Sequence, residues 1–171
     1  MKGLIGKLKT GSSDNFQTPY YPIKALLDIL PHMREGVAFD PCAGRGSILG
    51  FLNVEGVSCC GTDLTLGNDF LDREQKLPAF DRIITNPPYS KKTEFLKRAY
   101  ELKKPFAMLM PLTALEGKRQ DMFKEFGLTL LLLRRRVNFL PPSGKGSGAH
   151  FATAWFIGND KMLSNSEILY E

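Results

Sequence analysis

Two stretches of the 171-residue chain combine residue types that do chemistry with the glycines and prolines that would hold them still. In FDPCAGRGS, residues 39 to 47, an acid, Asp40, ends a short apolar run, and Gly44 and Gly46 follow. Such a turn lets the backbone bend tightly and lets a ligand come close before the next helix begins. The stretch is not G-x-G-x-x-G, because position 49 is Leu, and taken alone it reads as an ordinary strand-to-helix turn. Asp63 changes that reading. It ends the next apolar run 23 positions after Asp40, where an acid would accept hydrogen bonds from the two ribose hydroxyls of an adenosyl group. A third acidic point, Asn68-Asp69-Phe70, offers Asp69 to an adenine amino group and Phe70 to the ring face; the same residues also suit a polar turn with Phe70 in the core. The second stretch is ITNPPYSKK, residues 84 to 92, which puts a polar amide, two prolines and an aromatic after the apolar run DRII. Proline has no N–H and a fixed φ, so Pro87-Pro88 makes a stiff segment whose carbonyls are free for a substrate.

The elements that must position these residues follow from periodicity. YPIKALLDILPHM, GSILGFLNV, TEFLKRAYELK and LEGKRQDMFKEFG read as helices. GVAFD (36 to 40), GVSCCGTD (56 to 63), DRIITN (81 to 86), PFAMLMPL, LTLLLLRRRVNF and HFATAWFIG read as strands. Strands alternating with helices over short connections predict an α/β doubly wound sheet, with ligands at the carboxyl ends of the strands. The length suits one domain over residues 16 to 171, behind a mobile polar lead at 1 to 15.

Charge is unevenly spread. Residues 1 to 90 hold 9 Lys+Arg against 10 Asp+Glu, and residues 91 to 171 hold 14 against 8. The second half therefore carries the whole positive surplus, as a face for a polyanion would, although a solvated lysine-rich helix surface counts the same way. Three cysteines, Cys42, Cys59 and Cys60, show no zinc-ligand spacing with the two histidines, so no metal site is expected. Cys59 and Cys60 read as buried reduced thiols, which places the chain in the cytoplasm. No apolar run approaches the roughly 20 residues of a membrane span, so no membrane partner is expected.

Taken in order, FQTP (16 to 19), DPCAGRG (40 to 46), Asp63, NDF (68 to 70) and NPPY (86 to 89) resemble the amino-group DNA methyltransferases that use S-adenosylmethionine. With GSGAHFATAWF near the end, the chain looks most like the N6-adenine methyltransferases of phages and prophages, over roughly residues 16 to 158. The resemblance implies a Rossmann-like class I methyltransferase fold with a mostly parallel seven-stranded sheet and helices on both faces. It implies S-adenosylmethionine as cofactor, held by Asp40, Pro41, Cys42, Ala43, Gly44 and Gly46 on one side and by Asp63, Leu64, Asp69 and Phe70 on the other. Phe16, Gln17, Thr18 and Pro19 would close over the methionine end, though locally they also read as a turn before the first helix.

Asn86, Pro87, Pro88 and Tyr89 would carry the chemistry. The lone pair of adenine's amino group is delocalised into the ring, so something must relocalise it. If Asn86 Oδ1 and the Pro87 carbonyl accept the two N–H groups, the nitrogen becomes more tetrahedral and its lone pair points at the methyl carbon. Tyr89 would stack on a base rotated out of the duplex. Lys91, Lys92, Lys118, Arg119, Lys145 and His150 are the candidate nucleic-acid contacts, and Arg134-Arg135-Arg136 add to the same surplus. DNA, double- or single-stranded, is the expected partner, and a homodimer is compatible with the sequence.

The same NPPY geometry would hold an RNA base or a glutamine amide, and a nucleic-acid-binding domain without catalysis is the non-enzymatic rival. Cytosine N4 is less favoured because the resembling families more often place Ser at the position of Asn86 for that chemistry. Only two small loops, 112 to 120 and 141 to 150, lie near the expected mouth, so low sequence specificity is expected.

Overall fold

The computed structural model describes residues 16–141, 151–164 and 166–171. The N-terminal lead, Lys145 and His150 lie outside the described residues. One sheet contains β1 (Ala38–Asp40), β2 (Cys59–Gly61), β3 (Arg82–Thr85), β4 (Phe106–Pro111), β5 (Thr129–Leu132), β6 (Thr153–Gly158) and β7 (Ile168–Tyr170), in the spatial order β2-β1-β3-β4-β6-β5-β7. β6 pairs antiparallel with β4 and with β5, and every other pairing is parallel, so six strands run one way and β6 runs against them. The helices are α1 (Tyr20–Ile29), α2 (Ser47–Val54), α3 (Lys92–Leu102) and α4 (Arg119–Phe126).

Side chains alternate across a strand, and here both faces are covered. Ile84, Ala107, Leu109, Trp155 and Ile157 pack with Ile23, Leu26 and Leu27 of α1 and Leu52 of α2. Ile83, Phe106, Met108 and Phe156 pack on the other side with Phe95, Leu96 and Ala99 of α3 and Phe123 of α4. This double burial explains why β3, β4 and β6 read as continuous apolar runs instead of alternating ones. Trp155, fully buried, donates its indole N–H to the Pro22 carbonyl at 2.8 Å, which fixes α1 on the sheet.

The first helix, read through Met33, ends at Ile29 because Pro31 cannot continue it, and the helix read from Leu115 starts at Arg119; three strands depart further from the sequence reading. The run 128 to 139, expected as one strand, stops at Leu132, because three consecutive arginines cannot be buried between two helical layers; Arg134, Arg135 and Arg136 turn off the sheet into solvent. The strand expected over 56 to 63 is confined to Cys59–Gly61, and its cysteines are free and half-buried because β2 is an edge strand. The seventh strand is β7, whose exposed Ile168 and Tyr170 gave no apolar run to read.

β1 leads through α2 to β2 on one side, while β3 lies on its other side. The strand order reverses there, opening a crevice at the carboxyl ends of β1 and β3. The sheet below it is tightly packed. A Cβ at Gly158, the last residue of β6, would overlap the ring of Phe106 and crowd that of Tyr100. Gly158→Ala is expected to destabilise the protein by about 1–3 kcal/mol. Urea unfolding followed by the single Trp155 checks it, and an unchanged midpoint would contradict this packing.

Candidate active site

The crevice is organised by two carboxylates. Asp40 ends β1 and is almost fully buried. Its Oδ1 accepts from Thr85 Oγ1, the last residue of β3, at 2.7 Å, and from the Cys42 N–H at 3.0 Å. Its Oδ2 has no partner among the described residues. Burial, opposed only in part by those two donors, pushes the Asp40 carboxyl up to about 7. Burial, and then the charge of Asp40, also pushes the Cys42 thiol up, so Cys42 is a neutral wall and not a nucleophile.

Asp63 follows β2 and joins the two glycine-rich turns. Its Oδ2 accepts from the Gly44 N–H at 2.9 Å, and its Oδ1 accepts from the Thr65 N–H at 2.9 Å and from Thr65 Oγ1 at 2.6 Å. Partial burial alone would raise the Asp63 carboxyl, but the donors from Thr65 and Gly44 outweigh it and hold the group below its ordinary value. Asp63 is therefore the charged acid of the pair. Gly44 and Gly46 both have positive φ, 51° and 81°, and Gly46 precedes the first turn of α2, so the turn needs residues that adopt the left-handed region. No atom lies near where a Gly46 Cβ would stand, so its requirement is conformational.

Around these acids lies a cleft of about 340 Å³. Phe16, Gln17, Pro41, Cys42, Gly44, Asp63, Leu64, Asp69, Phe70, Asn86, Pro88 and Lys91 line it, and a small recess beside it is lined by Thr18, Asp40, Ala43 and Ser47. Phe70 is 2% exposed and stacked on Phe95 at 5.2 Å, a core position, and it also lines the cleft. Asn86, one residue beyond β3, lines cleft and recess together, and its buried Oδ1 has no partner among the described residues. Pro87 is buried, and the Pro88 carbonyl accepts from the Lys91 N–H at 2.9 Å. The half-buried ring of Tyr89 is set edge-on by Phe151 at 5.6 Å and Phe139 at 6.3 Å.

Other expected residues sit apart from the cleft. Pro19 precedes the first turn of α1. Lys92 donates to the Tyr89 carbonyl at 3.1 Å, and Lys118 is exposed at the start of α4. The Arg119 guanidinium is committed to the protein, donating to the carbonyls of Ala114 and Thr113 and to Thr93 Oγ1, which suits a clamp between α3 and α4 better than a phosphate contact. The sequence reading missed Thr85, which pins Asp40, and Ser47, which donates to Gln17 Oε1 at 2.8 Å. It also missed Gln75, whose side-chain oxygen accepts from the Asp69 N–H and whose Nε2 donates to Asn68 Oδ1 at 2.9 Å. Each passes in sequence as an ordinary strand, helix-start or loop residue. No group of three or more His, Cys, Asp or Glu among the described residues is placed to hold a metal, and no helix there is long and apolar enough to cross a membrane.

Solved structures share this architecture. A Listeria monocytogenes protein described as a class I S-adenosylmethionine-dependent methyltransferase superposes with a TM-score of 0.59 at 14% identity, over 90% of this chain and 64% of its own. The methyltransferase subunit of a type I restriction-modification system from Streptococcus thermophilus gives 0.59 at 18% identity, over 88% of this chain and 46% of its own. A Pyrococcus horikoshii protein described as an RNA methyltransferase gives 0.52 at 14%, over 84% and 85%. The fold is the Rossmann-like class I methyltransferase fold. The chain spans less than two thirds of the first two structures. No protein-family model matches the sequence, and no curated protein does.

The raised Asp40 carboxyl has a signed consequence for stability. An acid that ionises near 3.8 when unfolded but only near 7 when folded leaves the unfolded state with fewer bound protons between those values, so stability falls as pH rises through that window. Asp40→Asn removes the ionisation. It is expected to raise the melting temperature over wild type at pH 8, with the gain shrinking as the pH approaches 4. Thermal melts across that range check it, and a difference that does not vary with pH would contradict the burial of a titrating carboxyl.

Proposed function

We propose that the chain transfers a methyl group from S-adenosylmethionine to the exocyclic N6 amino group of adenine in DNA, with low sequence specificity. The observation that carries this reading is the Asn86 side chain, a buried acceptor with no partner among the described residues, at the end of a central strand where cleft and recess meet. An acceptor so placed costs stability unless a ligand donates to it. The methyltransferase fold, and the modification role of the streptococcal subunit, point the same way.

The residues present suit the cofactor. Asp63, held charged, would accept from the ribose hydroxyls, with Leu64 and Phe70 against the adenine ring and Asp69 at its amino group. Asp40 Oδ2, unpartnered in the recess, suits the cationic methionine end beneath Phe16, Gln17 and Thr18. When bound, S-adenosylmethionine supplies a methyl group already activated by its positively charged sulfur. The chain then needs neither a nucleophile nor a metal. Asn86 Oδ1 and the Pro87 carbonyl take the two N–H groups of the target and hold its lone pair toward the cleft; as the nitrogen–methyl bond forms the sulfur–methyl bond breaks, and one of the two protons on the nitrogen is lost to solvent. With the Pro88 carbonyl occupied by Lys91 and both prolines stiff, this acceptor pair stays in place. Tyr89, fixed by Phe139 and Phe151, offers a stacking surface worth roughly 1–3 kcal/mol to an extruded base. Single-stranded DNA is expected to serve at least as well as duplex, since no base pair has to be opened. An RNA base is the second reading, because the same acceptors would serve it.

Two substitutions separate cofactor binding from chemistry. Asp63→Ala should weaken calorimetric binding of S-adenosylhomocysteine by about 1–3 kcal/mol, through the missing ribose acceptor and the loosened Gly44 turn. Asn86→Ala should leave that affinity nearly unchanged and abolish transfer of labelled methyl groups to DNA. Wild-type turnover in Asn86→Ala would overturn the mechanism. Nucleoside mass spectrometry after incubation with DNA and RNA identifies the product, and N6-methyladenine in DNA is expected. Mapped on DNA free of adenine methylation, the modified positions should scatter with at most a short flanking preference; one strict site of four or more bases would contradict the low specificity.

A further inference from the structure

The carboxyl edge of the sheet carries basic residues in both halves, with Arg45 and Lys91 exposed in the one that holds the cleft. Its β2-β1-β3 half carries Asp63, Asp40 and Asp69 and supplies the strand-end residues of the cleft. The β4-β6-β5 half supplies none of them, and its connections carry Lys118 before α4 and Arg134, Arg135 and Arg136 after β5, all exposed. The sheet register fixes their height. Thr85 pairs with Met108, Met108 with Phe156, and Phe156 with Leu130, so these residues lie on one line across the sheet. Asn86 is one residue past that line on β3, and β5, which runs the same way as β3, ends two past it at Leu132, so the arginine turn leaves the sheet at the same edge as Asn86.

The three arginines are not equivalent. Arg135 lies over the Tyr21 ring at 4.2 Å, and its backbone N–H donates to the Tyr21 hydroxyl at 3.2 Å. The Arg134 N–H donates to Glu171 Oε2 at 3.0 Å, and the same oxygen accepts from the Tyr21 hydroxyl. The backbone of the turn is thus anchored twice. The Arg134 guanidinium makes only a long 3.5 Å approach to the Glu171 carbonyl, and that of Arg136 has no hydrogen bond or ion pair among the described residues. A fixed turn presenting two uncommitted guanidinium forks suits phosphate oxygens, which arginine recognises through paired donors.

We propose that Arg134 and Arg136 hold backbone phosphates of the target nucleic acid on the side of the mouth away from the cofactor. The strand that starts their turn is about 14 Å across the sheet from the strand that presents Asn86, at roughly 4.8 Å per strand. The inference rests on the nucleic-acid reading above and assigns the direction in which the strand leaves the site.

The test is fluorescence anisotropy with a short adenine-containing single-stranded oligonucleotide, made as DNA and as RNA, over about 50 to 200 mM salt. Methyl transfer to each is measured in parallel. Arg134→Ala with Arg136→Ala should lower the slope of log affinity against log salt by about 1.4, or about 0.7 for each single-strand phosphate no longer neutralised. Arg134→Lys with Arg136→Lys should restore most of the slope. Lys97→Ala with Lys124→Ala removes the same charge lower on α3 and α4 and should leave the slope unchanged. S-adenosylhomocysteine affinity, unchanged in all variants, reports an intact fold. An unaltered slope in the arginine variant, or an equal decrease in the lysine control, overturns the assignment even if wild type methylates DNA. Failure of wild type to bind either oligonucleotide overturns the assignment and the nucleic-acid reading together.

Discussion

The Asp40 carboxylate, buried at the end of β1, is shared between the turn that follows it and the neighbouring strand: one oxygen accepts both the Cys42 N–H and the Thr85 hydroxyl. Because Asn86 directly follows Thr85, that one oxygen sets the height of the glycine turn and of the NPPY segment against each other. Asp63 repeats the device one strand over, taking the Gly44 N–H on one oxygen and capping its own turn through Thr65 on the other. The site is thus a set of loop starts pinned to strand ends by carboxylates, and geometry at the mouth is inherited from a rigid sheet.

Such an arrangement stores strain of a polar kind. Asp40 Oδ2 and Asn86 Oδ1 are buried acceptors without partners among the described residues, each costing about 1–3 kcal/mol. The sheet tolerates this because it is packed on both faces, with Trp155, Phe39, Phe106 and Phe156 fully buried around it. The two carboxylates also differ in a useful way. Burial holds Asp40 poised near 7, where a cationic ligand would draw it to its charged form, whereas Asp63 is kept charged by its own donors.

Much of this was legible in the sequence because the chemistry falls at strand ends, and strand ends show as apolar runs followed by Asp or Asn. Asp40, Asp63 and Asn86 were each found that way, and all three line the crevice. Their supports were not. Thr85 looks like any β-branched strand residue, and Ser47 and Gln75 act through partners 30 and 6 residues away, which local spacing does not encode. Arg119 shows the same limit: local spacing does not encode the three protein acceptors its half-buried guanidinium donates to. Strand ends at 132 and 59 were misplaced because the apolar pattern does not say which strands are covered on both faces and which lie at an edge.

Within the proposed reading, the unpartnered acceptor at Asn86 also selects the kind of base edge. An exocyclic amino group brings two N–H donors to two acceptors, Asn86 Oδ1 and the Pro87 carbonyl. A base edge carrying a carbonyl would set a third acceptor against that pair, leaving both unsatisfied and adding repulsion between partial negative charges. A site built to receive hydrogen-bond donors rejects an analogue without them far more strongly than an apolar pocket rejects a small change of shape, because the buried groups stay unpaired. The acceptor pair that lowers the barrier by relocalising the lone pair is therefore also what excludes thymine and the keto edge of guanine. On this reading, chemistry and base selection rest on the same two atoms, and any substitution that weakens one weakens the other.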